Sequence, residues 1–141
     1  MVLRGTALQS CNLSQNQLQK VPPKLAANFN VLRELNLSHN SISELPEEIL
    51  SISELNNLDL STNRLREVPQ VIYHFVNLKV LKMGKNAISE INVAKLLQMP
   101  SLQELDLRGN PLSPDVKRSL LETRFHVLFD DVDDEERMSV D

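Results

Sequence analysis

Apolar residues return along this chain in a fixed frame, L-x-x-L-x-L-x-x-N-x-L, and the frame is filled five times. The first unit reads Leu8, Cys11, Leu13, Asn16, Leu18, and the second Leu32, Leu35, Leu37, Asn40, Ile42. Leu55, Leu58, Leu60, Asn63, Leu65 make the third, and Leu78, Leu81, Met83, Asn86, Ile88 the fourth. Leu102, Leu105, Leu107, Asn110, Leu112 complete the fifth. The asparagines stand 24, 23, 23 and 24 residues apart. Cys11 and Met83 replace aliphatic residues, and both soft side chains pack like one. Apolar residues two apart predict a short strand with one face turned inward. A lone strand cannot bury those leucines, so successive units must stack in parallel and share one core.

The asparagine falls where the chain leaves each strand. Its amide both donates and accepts, so it can satisfy turn backbone groups that would otherwise be buried unpaired. The second half of the unit repeats too: Val21-Pro22, Leu45-Pro46 and Val68-Pro69 are each followed by two further apolar residues. Proline there predicts a tight extended or single-turn return on the opposite side, because it cannot sit inside a regular helix. The fourth unit has Asn92 at that point, and Val93 to Met99 reads as one short helix ended by Pro100.

These features resemble the intracellular leucine-rich repeat class with L-P-x-x-L returns, which includes Ras-associated scaffolds and phosphatase-regulating solenoids. The resemblance covers residues 8 to about 112 and is carried by the five frames and by Leu107-Arg108-Gly109-Asn110-Pro111-Leu112. It implies an α/β solenoid: a parallel concave sheet, a convex side of turns, 3-10 segments and one short helix, and a C-terminal capping helix. Partners of such solenoids include GTPase, phosphatase and ligase components, and a protein partner of that kind is the expectation here.

Composition fits one domain, with 41% hydrophobic and 24% charged residues in 141. Residues 1–129 are expected to form the solenoid and its cap, the cap being residues 113–129. Ser113-Pro114-Asp115 is a helix start, with serine as N-cap and proline at the first position. Val116, Leu120 and Leu121 give that helix an apolar face, and Phe125 to Phe129 is an apolar run suited to closing the core as a last strand-like segment. Residues 130–141 hold seven acids against one base, and are expected to be a solvated, flexible tail. The first frame starts so near Met1 that no separate cap is expected before it. An open strand edge at that end would allow a homodimer.

Charge separates function classes. The tail carries −6 of the total −4, which leaves +2 for the rest, too little for a nucleic-acid binder that must neutralise many phosphates. Nothing resembles a signal peptide or a membrane span, so a cytoplasmic or nuclear address without membrane contact is expected. The single Cys11, at a core position, is read as a buried and inert thiol. Asn12-Leu13-Ser14 and Asn36-Leu37-Ser38 match glycosylation sequons, but both arise from the strand register.

Enzymatic chemistry has little to stand on. The chain has three glycines and no phosphate loop, and His39, His74 and His126 have no metal-ligand spacing, so no cofactor and no catalysis are expected. His39 is read as a turn residue. The strand residues turned away from the core are the candidates for binding a protein: Glu34, Asn36, Asn57, Asp59, Lys82, Glu104, Asp106 and Arg108. They offer rigid polar groups that lose little entropy on contact. Asp59, Lys82, Asp106 and Arg108 are the expected contact centre, with Lys79 and Lys85 beside them. The alternative is an acidic-tailed regulator of basic nuclear proteins such as histones, working through residues 130–141.

Overall fold

The computed structural model describes residues 9–130, so Leu8 and the acidic run from residue 131 lie outside the described residues. Within them, six strands form one parallel sheet in chain order. They are β1 (Ser10–Asn12), β2 (Glu34–Asn36), β3 (Asn57–Asp59), β4 (Val80–Lys82), β5 (Glu104–Asp106) and β6 (His126–Leu128). Cys11, Leu35, Leu58, Leu81, Leu105 and Val127 stand in register at the strand centres. The expected leucine row therefore exists, and the segment after the fifth frame adds a sixth strand to it.

The row is one wall of a continuous core. Leu35 is 2% exposed, while Leu58, Leu81 and Leu105 are fully buried, as are Leu60, Leu65, Ile72, Leu78 and Ile88 around them. Each such side chain contributes about 1.5–3 kcal/mol by leaving water. Among the described residues, the end strands β1 and β6 pair on one side only. Cys11, Leu13 and Leu18 at one end, and Val127 and Phe129 at the other, are only partly buried. Cys11 is thus half-buried rather than buried, on the first strand of the described sheet.

The convex returns depend on local sequence. Glu47–Ser51 and Gln70–His74 are short 3-10 helices, each preceded by the expected proline. α2 (Val93–Leu97) is the expected short helix, and Asn92 caps it by accepting from the Lys95 N–H at 3.1 Å. The first return departs from expectation: it is a true α-helix, α1 (Pro23–Asn28). Here a second proline, Pro23, occupies the first helical position, where its fixed φ suits the helix and its missing N–H costs nothing. Lys24, Leu25, Ala26 and Ala27 then continue the turn, whereas Val71 and Ile72 in the third return are β-branched and resist it. The cap is α3 (Pro114–Leu120), with the Ser113 hydroxyl accepting from the Val116 N–H.

Four of the five repeat asparagines, Asn40, Asn63, Asn86 and Asn110, tie their own turns to the preceding unit. Asn63 Nδ2 donates to the carbonyls of Leu60 at 3.0 Å and Ser61 at 3.3 Å in its own unit, and to Leu37 at 3.0 Å in the unit before. Its Oδ1 accepts from the Ile42 N–H at 2.9 Å, again in the unit before. Asn40, Asn86 and Asn110 repeat that pattern across the neighbouring junctions. Asn16 bonds the carbonyls of Leu13 and Ser14 in its own turn.

The residue before each asparagine is left-handed. Gln15, His39, Thr62 and Lys85 have φ between 54° and 61°, and Gly109 has 82°. This geometry sends each N–H to a carbonyl of the next unit: Gln15 to Ser38, His39 to Ser61, Thr62 to Gly84 and Lys85 to Arg108, at 2.8–3.1 Å. After the fifth frame the Asp130 carboxylate takes the carbonyl's place, accepting from the Gly109 N–H at 2.7 Å. The first residue of the acidic run thus completes a structural hydrogen bond.

Two stability changes follow. Asn63→Ala is expected to lower unfolding free energy by about 1–3 kcal/mol, the cost of stranding buried polar groups, as read from urea midpoints. Thr62→Gly is expected to raise it by roughly 0.5–1 kcal/mol, because a β-branched residue is strained at this φ by more than glycine loses in entropy.

Candidate functional site

On the concave face the strands set polar side chains in two rows. The first is Ser10, Glu34, Asn57, Val80, Glu104, His126, and the second is Asn12, Asn36, Asp59, Lys82, Asp106, Leu128. Seven of the eight candidate residues fall in these rows, and Arg108 lies two residues past the end of β5. Asp59, Lys82 and Asp106 are register partners on successive strands, so a lysine stands in the row between two acidic residues. Lys79 precedes β4 and is exposed, and Lys85 occupies the left-handed turn beyond it.

Several of these side chains also hold the strand exits. Asn12 Oδ1 accepts from the Ser14 N–H at 2.9 Å, Asn36 Oδ1 from the Ser38 N–H at 2.9 Å, and Asp59 Oδ1 from the Ser61 N–H at 2.9 Å. The Ser38 and Ser61 hydroxyls donate to the same oxygens. The two sequon-like triplets are therefore Asx turns: the asparagine accepts from the backbone two residues on, where its side chain mimics a turn carbonyl. The spacing Asx-x-Ser was visible in the sequence and carried this information.

Asp106 and Arg108 satisfy each other. The Arg108 guanidinium donates through Nε at 3.0 Å and through its terminal nitrogen at 2.8 Å to the two Asp106 oxygens, and the Arg108 N–H adds a third bond at 3.1 Å. These bonds hold the Asp106 carboxyl below the usual carboxylate range, against the desolvation that raises it, with a smaller pull from Lys82. Lys82 itself makes no ion pair among the described residues. Of the expected contact centre, Asp106 and Arg108 are thus turned toward one another, while Asp59 and Lys82 line a hollow on the concave face.

Relief on this face is uneven. A hollow of about 240 Å³ is lined by Glu34, Asn36, Asn57, Asp59 and Lys82 together with the exposed end of β1. A second depression, about 450 Å³, lies at the strand exits between His39, Thr62, Lys85 and Arg108. Gly84, which stands where the first three units carry serine, lies in its lining, and the Arg108 carbonyl approaches it so closely that a Cβ there would meet that oxygen at 2.8 Å. No trio of His, Cys, Asp or Glu that could hold a metal ion occurs among the described residues. No described helix is long and apolar enough to cross a membrane.

A family model described as a leucine-rich repeat region matches residues 1–124. The chain belongs to the leucine-rich repeat family. It is 52% identical over 118 residues to leucine-rich repeat-containing protein 20 of Mus musculus, covering 82% of this chain and 64% of that protein. Among solved structures, a leucine-rich repeat protein of Leptospira interrogans superposes with a TM-score of 0.65 at 27% identity, over 88% of this chain and 37% of that one. Internalin C2 of Listeria monocytogenes superposes with a TM-score of 0.69 at 23% identity, over 86% of this chain and 51% of its own length. The leucine-rich repeat architecture expected from the frame is thereby shown.

The Asp106–Arg108 fork gives the repeat face a pH signature. A carboxyl depressed in the folded state adds stability above its unfolded value that is lost as pH falls through the folded one. The stability difference between the native chain and Asp106→Asn is therefore expected to be full at neutral pH and to shrink below about pH 4, measured by urea denaturation across pH 2–7.

Proposed function

We propose that the chain is a non-catalytic adaptor that holds a folded protein partner against its concave face, of the kind that tethers GTPase, phosphatase or ligase components. The observation that carries this reading is the Asp59–Lys82–Asp106 row, in which Lys82 makes no ion pair among the described residues while half-buried beside a polar hollow. A sheet face of this kind is rigid before contact, so little entropy is lost when a partner meets it. The two rows contain no Trp, Tyr, Phe or Arg, the usual anchors of binding energy apart from Arg108 at the margin, so the contact relies on electrostatic match more than on apolar burial. An acidic group of the partner at Lys82 and a basic group near Glu34 and Asp59 complete that match.

The single cysteine has no second thiol in the chain to pair with, in keeping with a reducing intracellular setting. Partners captured by cross-linking and mass spectrometry with the intact chain are expected to be lost with Lys82→Glu and with Asp59→Lys, and retained with Lys117→Glu on the capping helix. Removing residues 131–141 leaves capture unchanged under this reading. Loss of capture on that truncation alone would instead support an acidic-tail regulator of basic proteins.

A further inference from the structure

Among the left-handed turns that end the strands, one occupant stands out. Glycine, asparagine and aspartate reach this conformation at low cost, and a β-branched residue there is an outlier. Thr62 holds φ at 55°, between His39 at 57° and Lys85 at 54° in the turns on either side, while Gly109 makes the same turn in the fifth unit. The backbone alone joins these turns, His39 N–H to the Ser61 carbonyl and Thr62 N–H to that of Gly84. Thr62 Oγ1 makes no hydrogen bond among the described residues. A conformational cost kept where glycine would serve points to a use for the side chain.

Its surroundings are rich in unused donors. Thr62 is half-buried in the strand-exit depression, with exposed His39 and Lys85 in the turns on either side, each at a strand spacing of about 4.8 Å. Ser61 donates its hydroxyl to Asp59, and both Asp106 oxygens accept from the Arg108 guanidinium. The Thr62 hydroxyl, the Lys85 ammonium and Arg108 Nη1 donate to no group among the described residues. Arg108 is balanced by Asp106, with Asp130 and Glu104 adding their fields. Lys85 makes no ion pair among the described residues. The depression therefore offers hydrogen-bond donors together with the uncompensated charge of Lys85.

We propose that this depression takes a carboxylate from an acidic segment of the protein partner, seated between Lys85 and the Thr62 hydroxyl with His39 at the rim. The proposal rests on the reading that a folded partner lies on the concave face, and it extends that contact over the strand exits through Asp106, which belongs to both the concave row and the depression. A carboxylate accepts hydrogen bonds only, so it meets the donors left unused here. Its single negative charge matches Lys85, whereas a phosphate monoester brings nearly two and would face Asp106 and Asp130 beside Arg108. Thr62 is then a specificity residue, strained in the free chain and used in the complex.

The test sets binding against stability. The intact chain, labelled with nitrogen-15, is titrated with an acetylated and amidated hexaglutamate peptide, and the amide shifts are expected to gather on Thr62, Gly84 and Lys85. Thr62→Ser keeps the hydroxyl and is expected to keep this binding. Thr62→Val and Thr62→Gly are each expected to weaken it by roughly threefold or more, the loss of one hydrogen bond to a charged group, although Thr62→Gly unfolds at higher urea than the native chain. Lys85→Gln is expected to abolish it, and a native-like spectrum of each variant separates lost binding from lost structure. Shifts gathered on Lys20, Lys24 or Lys117 instead, a Thr62→Val chain that binds like the native one, or inorganic phosphate that binds the depression more tightly than the peptide would each overturn the proposal. Partner capture lost with Lys82→Glu, beside a peptide that never finds the depression, overturns this site and leaves the concave-face reading standing. A peptide seated at Thr62, with capture indifferent to Lys82→Glu, supports this site and removes that reading.

Discussion

The repeat depends on one side-chain amide placed at each strand exit. Its two ends have different duties: Oδ1 accepts from the preceding unit, while Nδ2 donates both to that unit and to its own turn. Leucine burial supplies most of the free energy, but it is non-directional and would tolerate sliding between units. The amide fixes the register, because only one stagger brings backbone donors and acceptors of both units within its reach. The left-handed residue before it directs its N–H to the following unit. Each junction is thus tied in both directions, and four of the five frames accept strain at a non-glycine residue to do it.

From that fixed register the polar concave face follows. Because Cys11, Leu35, Leu58, Leu81 and Leu105 align inward, the residues on either side align outward, and unrelated sequence positions become neighbours at strand spacing. Asp59, Lys82 and Asp106 meet only because the period is 23 or 24 residues. The Asx turns add a second constraint. Asn36 and Asp59 commit one oxygen to the backbone, which holds these side chains in place before any partner arrives.

Much of this architecture was legible in the chain, and what was missed has physical reasons. The leucine frame specified the strands, their order and the buried row, since period-two burial leaves no other solution. The fourth return and the cap were readable from Asn92, Pro100 and Ser113, which are end signals for helices. The first return was misjudged because Pro22 was weighed as a helix breaker, although Pro23 at the first helical position favours a helix. The left-handed turn could not be read from Gln15, His39, Thr62 or Lys85, which do not prefer that conformation; only Gly109 hinted at it. At the site, the sequence placed the rows correctly, but the fork between Asp106 and Arg108 depends on side-chain conformation across a turn. Cys11 was read as buried because its frame position is buried elsewhere, whereas it is half-buried on β1, the first strand of the described sheet.

The coupling between units is most directly tested by native-state hydrogen exchange on the Asn63→Ala chain. If the amide joins two units, the Ile42 N–H, which belongs to the second unit and bonds Asn63 Oδ1 at 2.9 Å, loses protection together with the turn of the third. Exchange that accelerates only within residues 60–65, with Ile42 as protected as in the native chain, would contradict the claim that these asparagines hold the stack in register.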